Sequence, residues 1–243
     1  MKRIWATSDL HGMLEGLTEP ECSPKECDLA VIAGDLAPLG NFETWADQVR
    51  WFISSGPKLR EIFGDVPVAL VPGNHDLWLK PEHLAEWNEG GKLFPFGETT
   101  GWHLLIDAYC RINGITVHGS PWIPYINGGW AYEAPWEDNG EFLAEQFSKI
   151  PEGLDVLVTH TPPLVNHATL DVSTFHGGKT TRHFGSPELK GAIERAKPKL
   201  ALCGHIHTGD HEPLLLGSTV LRNVSRVDED YRIAYEPAIL EIQ

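Results

Sequence analysis

The sequence predicts an α/β protein, and three observations carry that expectation. Short apolar runs end abruptly in polar clusters at residues 4–7, 29–33, 68–71, 156–159 and 200–203. Stretches with helical periodicity lie between them. One segment carries a hairpin signal that an all-parallel sheet would lack.

The runs lead in order into Ser-Asp-Leu-His-Gly, Gly-Asp-Leu-Ala, Pro-Gly-Asn-His-Asp, His-Thr-Pro-Pro and Gly-His-Ile-His. Each is a few residues long and bounded by Gly, Pro or a polar residue, which suits a buried strand better than a helix. Helices are expected over residues 42–63 with an interruption at Gly56-Pro57, over 81–89, over 141–150 and over 187–196. Ser186 is the expected N-cap of the last, and Pro187 fits its first turn. In the segment from His103 to Ser120, two β-rich runs flank Asn113-Gly114, the dipeptide best suited to a tight type I′ turn. A hairpin inside an α/β chain points to a mixed sheet, with a second sheet packed on the first as the fuller alternative.

The chain of 243 residues shows no Pro/Gly/Ser-rich linker, repeat or low-complexity run, so 1–243 is expected to be a single domain. With 42% hydrophobic and 22% charged residues it can bury a sizeable core. A formal charge of −15 works against long nucleic acids and anionic membranes, while a local positive site could still hold a small phosphate. Residues 1–10 have too few apolar positions for a signal peptide, and a cytoplasmic location is expected. Cys22, Cys27, Cys110 and Cys203 are expected to be reduced thiols, because Cys22 and Cys27 lack a second pair to complete a zinc ribbon.

Of the 12 histidines, His11, His75, His160, His205 and His207 follow the apolar runs, beside Asp9, Asp35 and Asn74. Loops after parallel strands open onto a shared crevice. Carboxylate, amide and imidazole donors gathered there form a mixed nitrogen and oxygen set suited to Mn, Fe, Zn or Co, rather than to calcium or a thiolate site. Singly, Asp-Leu-His or His-Ile-His would more often be solvated or hydrogen-bonded side chains. The ordered set on successive strand ends is what points to chemistry.

In order and approximate spacing, these motifs resemble those of the calcineurin-like metallophosphoesterases, and the match runs from Asp9 to His207. Gly-Ser-Pro-Trp-Ile-Pro at 119–124, Thr-His-Thr-Pro-Pro-Leu at 159–164, the segment 183–189 and the segment 197–209 resemble the small metallophosphoesterase-domain-containing branch, known for cyclic-nucleotide phosphodiesterase activity. The Gly-Asp motif lacks the Asp-Arg that follows in phosphoprotein phosphatases, which argues against a protein substrate.

The resemblance implies a four-layer αββα sandwich with two mixed β-sheets and two divalent metal ions, with Mn2+ favoured over Fe, Zn, Co or Mg. Asp9, His11 and His207 would bind one metal and Asn74, His160 and His205 the other, with Asp35 bridging. One Asp35 oxygen per cation would span a pair about 3.5–4 Å apart. The implied reaction is phosphoester hydrolysis by a metal-held hydroxide, with no side-chain nucleophile. His75 would stabilise the reacting phosphoryl group or protonate the leaving oxygen, and Asp76 would accept a hydrogen bond from His75, a turn-capping role being its alternative. Gly73 is expected to let the backbone turn.

Substrate contacts are expected from Trp122, His167, His176, Lys179, Arg182 and His183, with His118 also near the mouth and Trp122 and Trp130 candidates for base stacking. The segment 175–184 has a superficial P-loop look, but Ser173 stands where its first glycine would be and no apolar strand precedes it. The favoured substrate is a small phosphodiester such as a cyclic nucleotide. A phosphomonoesterase or nuclease with the same metals, and a nucleotide-binding scaffold with little turnover, are the alternatives.

Overall fold

Alternation along each strand decides how the layers stack. The computed structural model describes residues 1–38, 45–87, 101–165, 169–175 and 180–243. In chain order the elements are β1 (Lys2–Thr7), β2 (Leu29–Ala33), α1 (Trp45–Phe63), β3 (Val68–Val71), α2 (Pro81–Trp87), β4 (Trp102–Leu104), β5 (Ala108–Ile112), β6 (Ile115–Ser120), α3 (Asn139–Ser148), β7 (Val156–Thr159), β8 (Val172–Phe175), β9 (Thr180–His183), α4 (Pro187–Ala196), β10 (Leu200–Cys203), β11 (Leu214–Leu216), β12 (Thr219–Asn223) and β13 (Ala238–Ile242).

One sheet has the order β13-β1-β2-β3-β4 and the other β11-β12-β10-β7-β6-β5, with β8 and β9 forming a separate ribbon. Each large sheet is mixed: β13 runs antiparallel to β1, and β11 and β5 run antiparallel to β12 and β6. Ile4 and Ala6 of β1, Val31 and Ala33 of β2 and Val71 of β3 pack in one cluster with Val156, Val158, Leu200 and Leu202 of the second sheet. Their alternates Trp5, Ile32, Val68 and Leu70 face the other way, onto Phe52, Leu59, Ile62 and Phe63 of α1. On the second sheet Leu157, Ala201 and Cys203 meet Leu143 and Phe147 of α3 and Leu189 and Ile193 of α4. Both faces of these central strands are therefore buried, and the result is the expected four-layer αββα sandwich.

The hairpin sits in the second sheet. Ile112 pairs with Ile115, and Asn113 (φ 49°) and Gly114 (φ 85°) make the two-residue turn with both φ values positive, as a type I′ turn requires. Helix α1 corrects one expectation, because it continues through Pro57. Pro57 and Ile53 are both on the exposed face, where the hydrogen bond lost to proline is replaced by water, and the buried stripe holds both halves on the sheet. Helix α3 starts two residues before the expected 141, after Asp138, and the expected helical residues 42–44 and 88–89 lie outside the described residues. Helix α4 has the expected bounds, with Ser186 Oγ accepting from the Leu189 N–H at 3.0 Å. Among the described residues, no helix is long and apolar enough to cross a membrane.

Candidate functional site

The carboxyl ends of the two sheets meet at one edge. A bridge between Ser8 and Ser225, with the Ser8 N–H donating to Val224 and the Arg226 N–H to Ser8, joins the end of β1 to the segment after β12. The Gly204 N–H donates to the His160 carbonyl at 3.0 Å, and the Asp9 N–H to the Gly34 carbonyl at 3.0 Å. Four donor-bearing residues here have left-handed backbone: Asp9 (φ 54°), His11 (44°), Asp35 (53°) and His205 (67°). Non-glycine residues take that conformation at a cost, and such clusters mark functional loops.

Gly73 departs from its expected role. Its φ is not positive; instead, a Cβ added there would lie 2.1 Å from Asp35 Oδ1. Glycine is needed for close approach, so that the loops after β2 and β3 can lie against each other. At Gly34 both reasons hold, since φ is +102° and a Cβ would lie 2.1 Å from His160 Nδ1.

Asp9 is fully buried; its Oδ2 accepts from the His205 N–H at 3.0 Å and from Ser225 Oγ at 2.7 Å, and its Oδ1 lies 3.2 Å from His207 Nε2. Asp35 Oδ1 accepts from the His75 N–H at 2.8 Å, which leaves Oδ2 facing His160 Nε2 at 3.3 Å and His11 Nε2 at 3.9 Å. Asp35 Oδ2 thus faces imidazoles on both sides. His160 Nδ1 is held by the Ala33 carbonyl at 2.9 Å and His207 Nδ1 by the Asp228 carbonyl at 3.1 Å, so in each ring Nε2 is turned to the carboxylates. Asn74 Oδ1 lies 2.9 Å from His160 Nε2.

These residues fit a metal. Both ring nitrogens of His11 are buried and have no hydrogen-bond partner, the unsatisfied state that coordination relieves. Ligand atoms of Asp9, His11 and His207, and of Asp9, Asp35 and His160, lie within 4.8 Å of one another in each group, close enough to hold an ion. Electrostatics agree with that donor set at two of the imidazoles. Burial pushes the His11 imidazole down to about 4 and the His205 imidazole down to about 3, so both are neutral donors. Burial opposes charge on His160 as well, yet Asp35 outweighs it and lifts that imidazole to about 9. Asp9 and Asp35 stay well below the usual carboxylate range, because surrounding imidazoles overcome the cost of burial.

Asp76 takes its capping alternative instead of the expected partnership with His75. Its Oδ2 accepts from the N–H groups of Leu36 at 3.2 Å and Gly73 at 2.9 Å, and its Oδ1 from Ala37 at 2.9 Å, so it serves the backbone and not the His75 imidazole. It fastens the loop after β2 to the loop after β3. Burial, then the charge of Asp35, pushes its carboxyl up to about 6 against those three donors.

A cavity of about 560 Å³ opens onto this cluster. Asp35, Asn74, His75, His205 and His207 line it, together with Trp130, Tyr231, Phe184, Ile126 and Ile206, which supply apolar surface. Trp122 is elsewhere: its Nε1 donates to Asp107 at 2.6 Å and its ring meets Phe142 and Tyr132 edge-on at 4.8 and 5.6 Å. His118 is buried in β6, opposite Tyr109 and Leu157, and not at the mouth. His183 pairs with Asp171 at 2.9 Å, and exposed Arg182 stacks over Phe184 at 5.7 Å; neither lines the cavity. His167, His176 and Lys179 lie outside the described residues. Sequence reasoning missed Tyr231 and Ser225. Both lie beyond His207, and neither has a local sequence signal, because each reaches the site by chain return.

A family model described as calcineurin-like phosphoesterase matches residues 2–209. The chain belongs to that family. It is a metal-dependent phosphoester hydrolase in the general sense that membership carries. The human metallophosphoesterase domain-containing protein 1 is similar to it, 28% identical over 258 residues that cover 99% of this chain and 71% of the relative, and the mouse protein matches equally. Among solved structures, a Thermus thermophilus protein superposes with a TM-score of 0.56 at 19% identity, covering 91% of this chain and 88% of the other. A phosphopantetheinyl hydrolase from Mycobacterium tuberculosis superposes with a TM-score of 0.54 at 21% identity, again over 91% and 88%. At those identities both speak to the fold of this phosphoesterase.

Proposed function

We propose that this phosphoesterase is a phosphodiesterase for small organic phosphates such as a cyclic nucleotide. Asp9, His11 and His207 would hold one divalent cation and Asn74, His160 and His205 a second, with Asp35 shared between them. The observation that carries this reading is one cavity lined both by the donors Asp35, Asn74, His205 and His207 and by the aromatic Trp130 and Tyr231, with His75 beside Trp130. Bound cations supply Lewis acidity to a phosphoryl oxygen and lower the pKa of water. The ionised Asp9 and Asp35 would hold the cations while offsetting only part of their charge, which would leave a positive site for a phosphate anion.

His75 stands 5.1 Å from His11, centroid to centroid, and its ring makes no hydrogen bond among the described residues. It is available to donate to a phosphoryl or leaving oxygen. Burial lowers its pKa, and a phosphate anion beside the ring would favour the protonated form. The rim residues Glu229 and Asp230 add negative potential that a diester monoanion tolerates better than a monoester dianion. The apolar wall and modest volume suit a small molecule.

The test is hydrolysis of bis(p-nitrophenyl) phosphate and p-nitrophenyl phosphate by protein stripped of metal and resupplied with Mn2+. Metal-restored diester activity is expected, and His75→Ala should lower it by about 100-fold or more with metal content intact. Activity confined to the monoester would make the protein a phosphomonoesterase. Silence on both with metal bound would favour a binding scaffold.

A further inference from the structure

The proposed diester site has an aromatic wall that the hydrolytic chemistry does not require. Trp130 and Tyr231 come from different segments and converge on the same imidazoles. The Trp130 ring lies 4.5 Å from that of His75, and the Tyr231 ring 5.0 Å from His11, 5.1 Å from His207 and 6.4 Å from His75, centroid to centroid. Neither is core packing: Trp130 is half-buried and Tyr231 is 39% exposed, and both face the cavity. Trp122, by contrast, has its indole N–H and its ring engaged by protein.

The backbone carrying Trp130 is built for its position. The Glu133 carboxylate accepts from the N–H groups of Ile126, of Asn127 at 2.5 Å, of Gly128 at 2.9 Å and of Trp130 at 3.1 Å, closing that loop around one anion. Those donors pull the Glu133 carboxyl below its ordinary range in spite of burial. Next along the chain, the Ala131 N–H donates to the Asn74 carbonyl at 3.1 Å, and the buried Tyr132 hydroxyl donates to the Leu79 carbonyl. Trp130 is thus pinned to the residue beside His75. Tyr231 rides a turn closed by the Val227 to Ile233 bridge, with its own φ at +57° and its N–H donating to Asp228, whose carbonyl holds His207.

We infer that Trp130 and Tyr231 are substrate-positioning residues that hold a planar ring of the diester beside His75, and that Glu133 sets Trp130 for this task. The inference rests on the phosphodiesterase reading and narrows its substrate class to diesters of ring-bearing alcohols, nucleosides among them. An aromatic face accepts any planar ring, so the pair favours the class without selecting one base.

The experiment compares kcat/KM for a nucleoside 2′,3′-cyclic phosphate with that for glycerol 1,2-cyclic phosphate, which keeps the five-membered diester and lacks the base, using Mn2+-loaded protein. The wild type should prefer the ring-bearing substrate. Trp130→Ala and Tyr231→Ala should each cut that preference about tenfold, chiefly through KM, as loss of one stacking partner predicts. Trp130→Phe should retain most of it, and Glu133→Gln should reduce it while sparing the indole itself. Tyr231 is exposed, so its variant tests the idea even if Trp130→Ala does not fold. A substrate ratio unchanged in both alanine variants, or a parallel fall on both substrates, overturns the inference and leaves the phosphodiesterase reading standing. Failure of the wild type to hydrolyse either diester removes both.

Discussion

A methyl group at position 73 would meet Asp35 Oδ1 at 2.1 Å and the Asp35 nitrogen at 2.4 Å, so Gly73→Ala must move the carboxylate that faces both His11 and His160. The variant should lose about 1–3 kcal/mol of stability and much of its bound metal. Thermal melting and elemental analysis would check this, and full metal retention would contradict the geometry. Asp76 acts at the same scale by other means. Asp76→Ala leaves the N–H groups of Leu36, Ala37 and Gly73 without their acceptor in a buried place and should cost about 2 kcal/mol or more by urea unfolding. The presence of Asp35, Asn74 and His75 at strand ends was legible from residue type and spacing. The partner of Asp76 was not, because its three donors lie on two loops brought together only by the pairing of β2 with β3.

Elements with local causes were the most legible. The Asn113-Gly114 turn and the Ser186 cap of α4 depend on backbone preferences of a few adjacent residues, and both formed as expected. Gly114→Ala should destabilise the protein by about 1 kcal/mol, since φ is +85° and a Cβ there strains the turn without meeting any neighbour. Metal content should not change. Helix α1 shows where local preference loses. A proline in a helix costs about 3 kcal/mol, but burial of Phe52, Leu59, Ile62 and Phe63 against the first sheet outweighs it. Pro57→Ala should therefore raise the unfolding midpoint, with about 1–3 kcal/mol of added stability, and leave the far-UV spectrum nearly unaltered.

At the scale of the molecule, the donor cluster is a seam between the sheets. Asp9, Asp35 and Asn74 follow strands of one sheet, and His160, His205 and His207 follow strands of the other. A metal bound there stabilises the folded state by mass action, so chelation should lower the melting temperature and Mn2+ should restore it. In the chelated protein the remaining stability should depend on pH with a definite sign. His11 and His205 have folded pKa values depressed to about 4 and about 3, so their contribution is present above the ordinary 6.5 and is lost as pH falls through those values. His160, raised to about 9, contributes below 6.5, and that contribution is lost as pH rises through 9. Asp76, raised to about 6, contributes below 3.8 and loses it as pH rises through 6, which opposes the two lowered histidines over part of that range. Melting of chelated protein between pH 4.5 and 9 should therefore peak near pH 6.5 and decline on both sides. A monotonic rise across the range would contradict the assignment for His160.

The sequence by itself determined the central strands, the hairpin, the α4 cap and which strand ends carry oxygen and imidazole donors. All of these follow from periodicity, turn chemistry and residue type within a few neighbours. Only the tertiary structure decided that one oxygen of Asp35 faces two imidazoles, that Asp76 serves the backbone, and that Trp130 and Tyr231, rather than Trp122, line the cavity. Those outcomes depend on contacts between segments far apart in the chain. Tyr231 reaches His11 across 220 positions because β13 returns to pair with β1 and the segment after β12 bridges Ser225 to Ser8. The chain's local preferences do not encode such a meeting; the face-to-face packing of the two sheets, with their strand ends on one side, creates it.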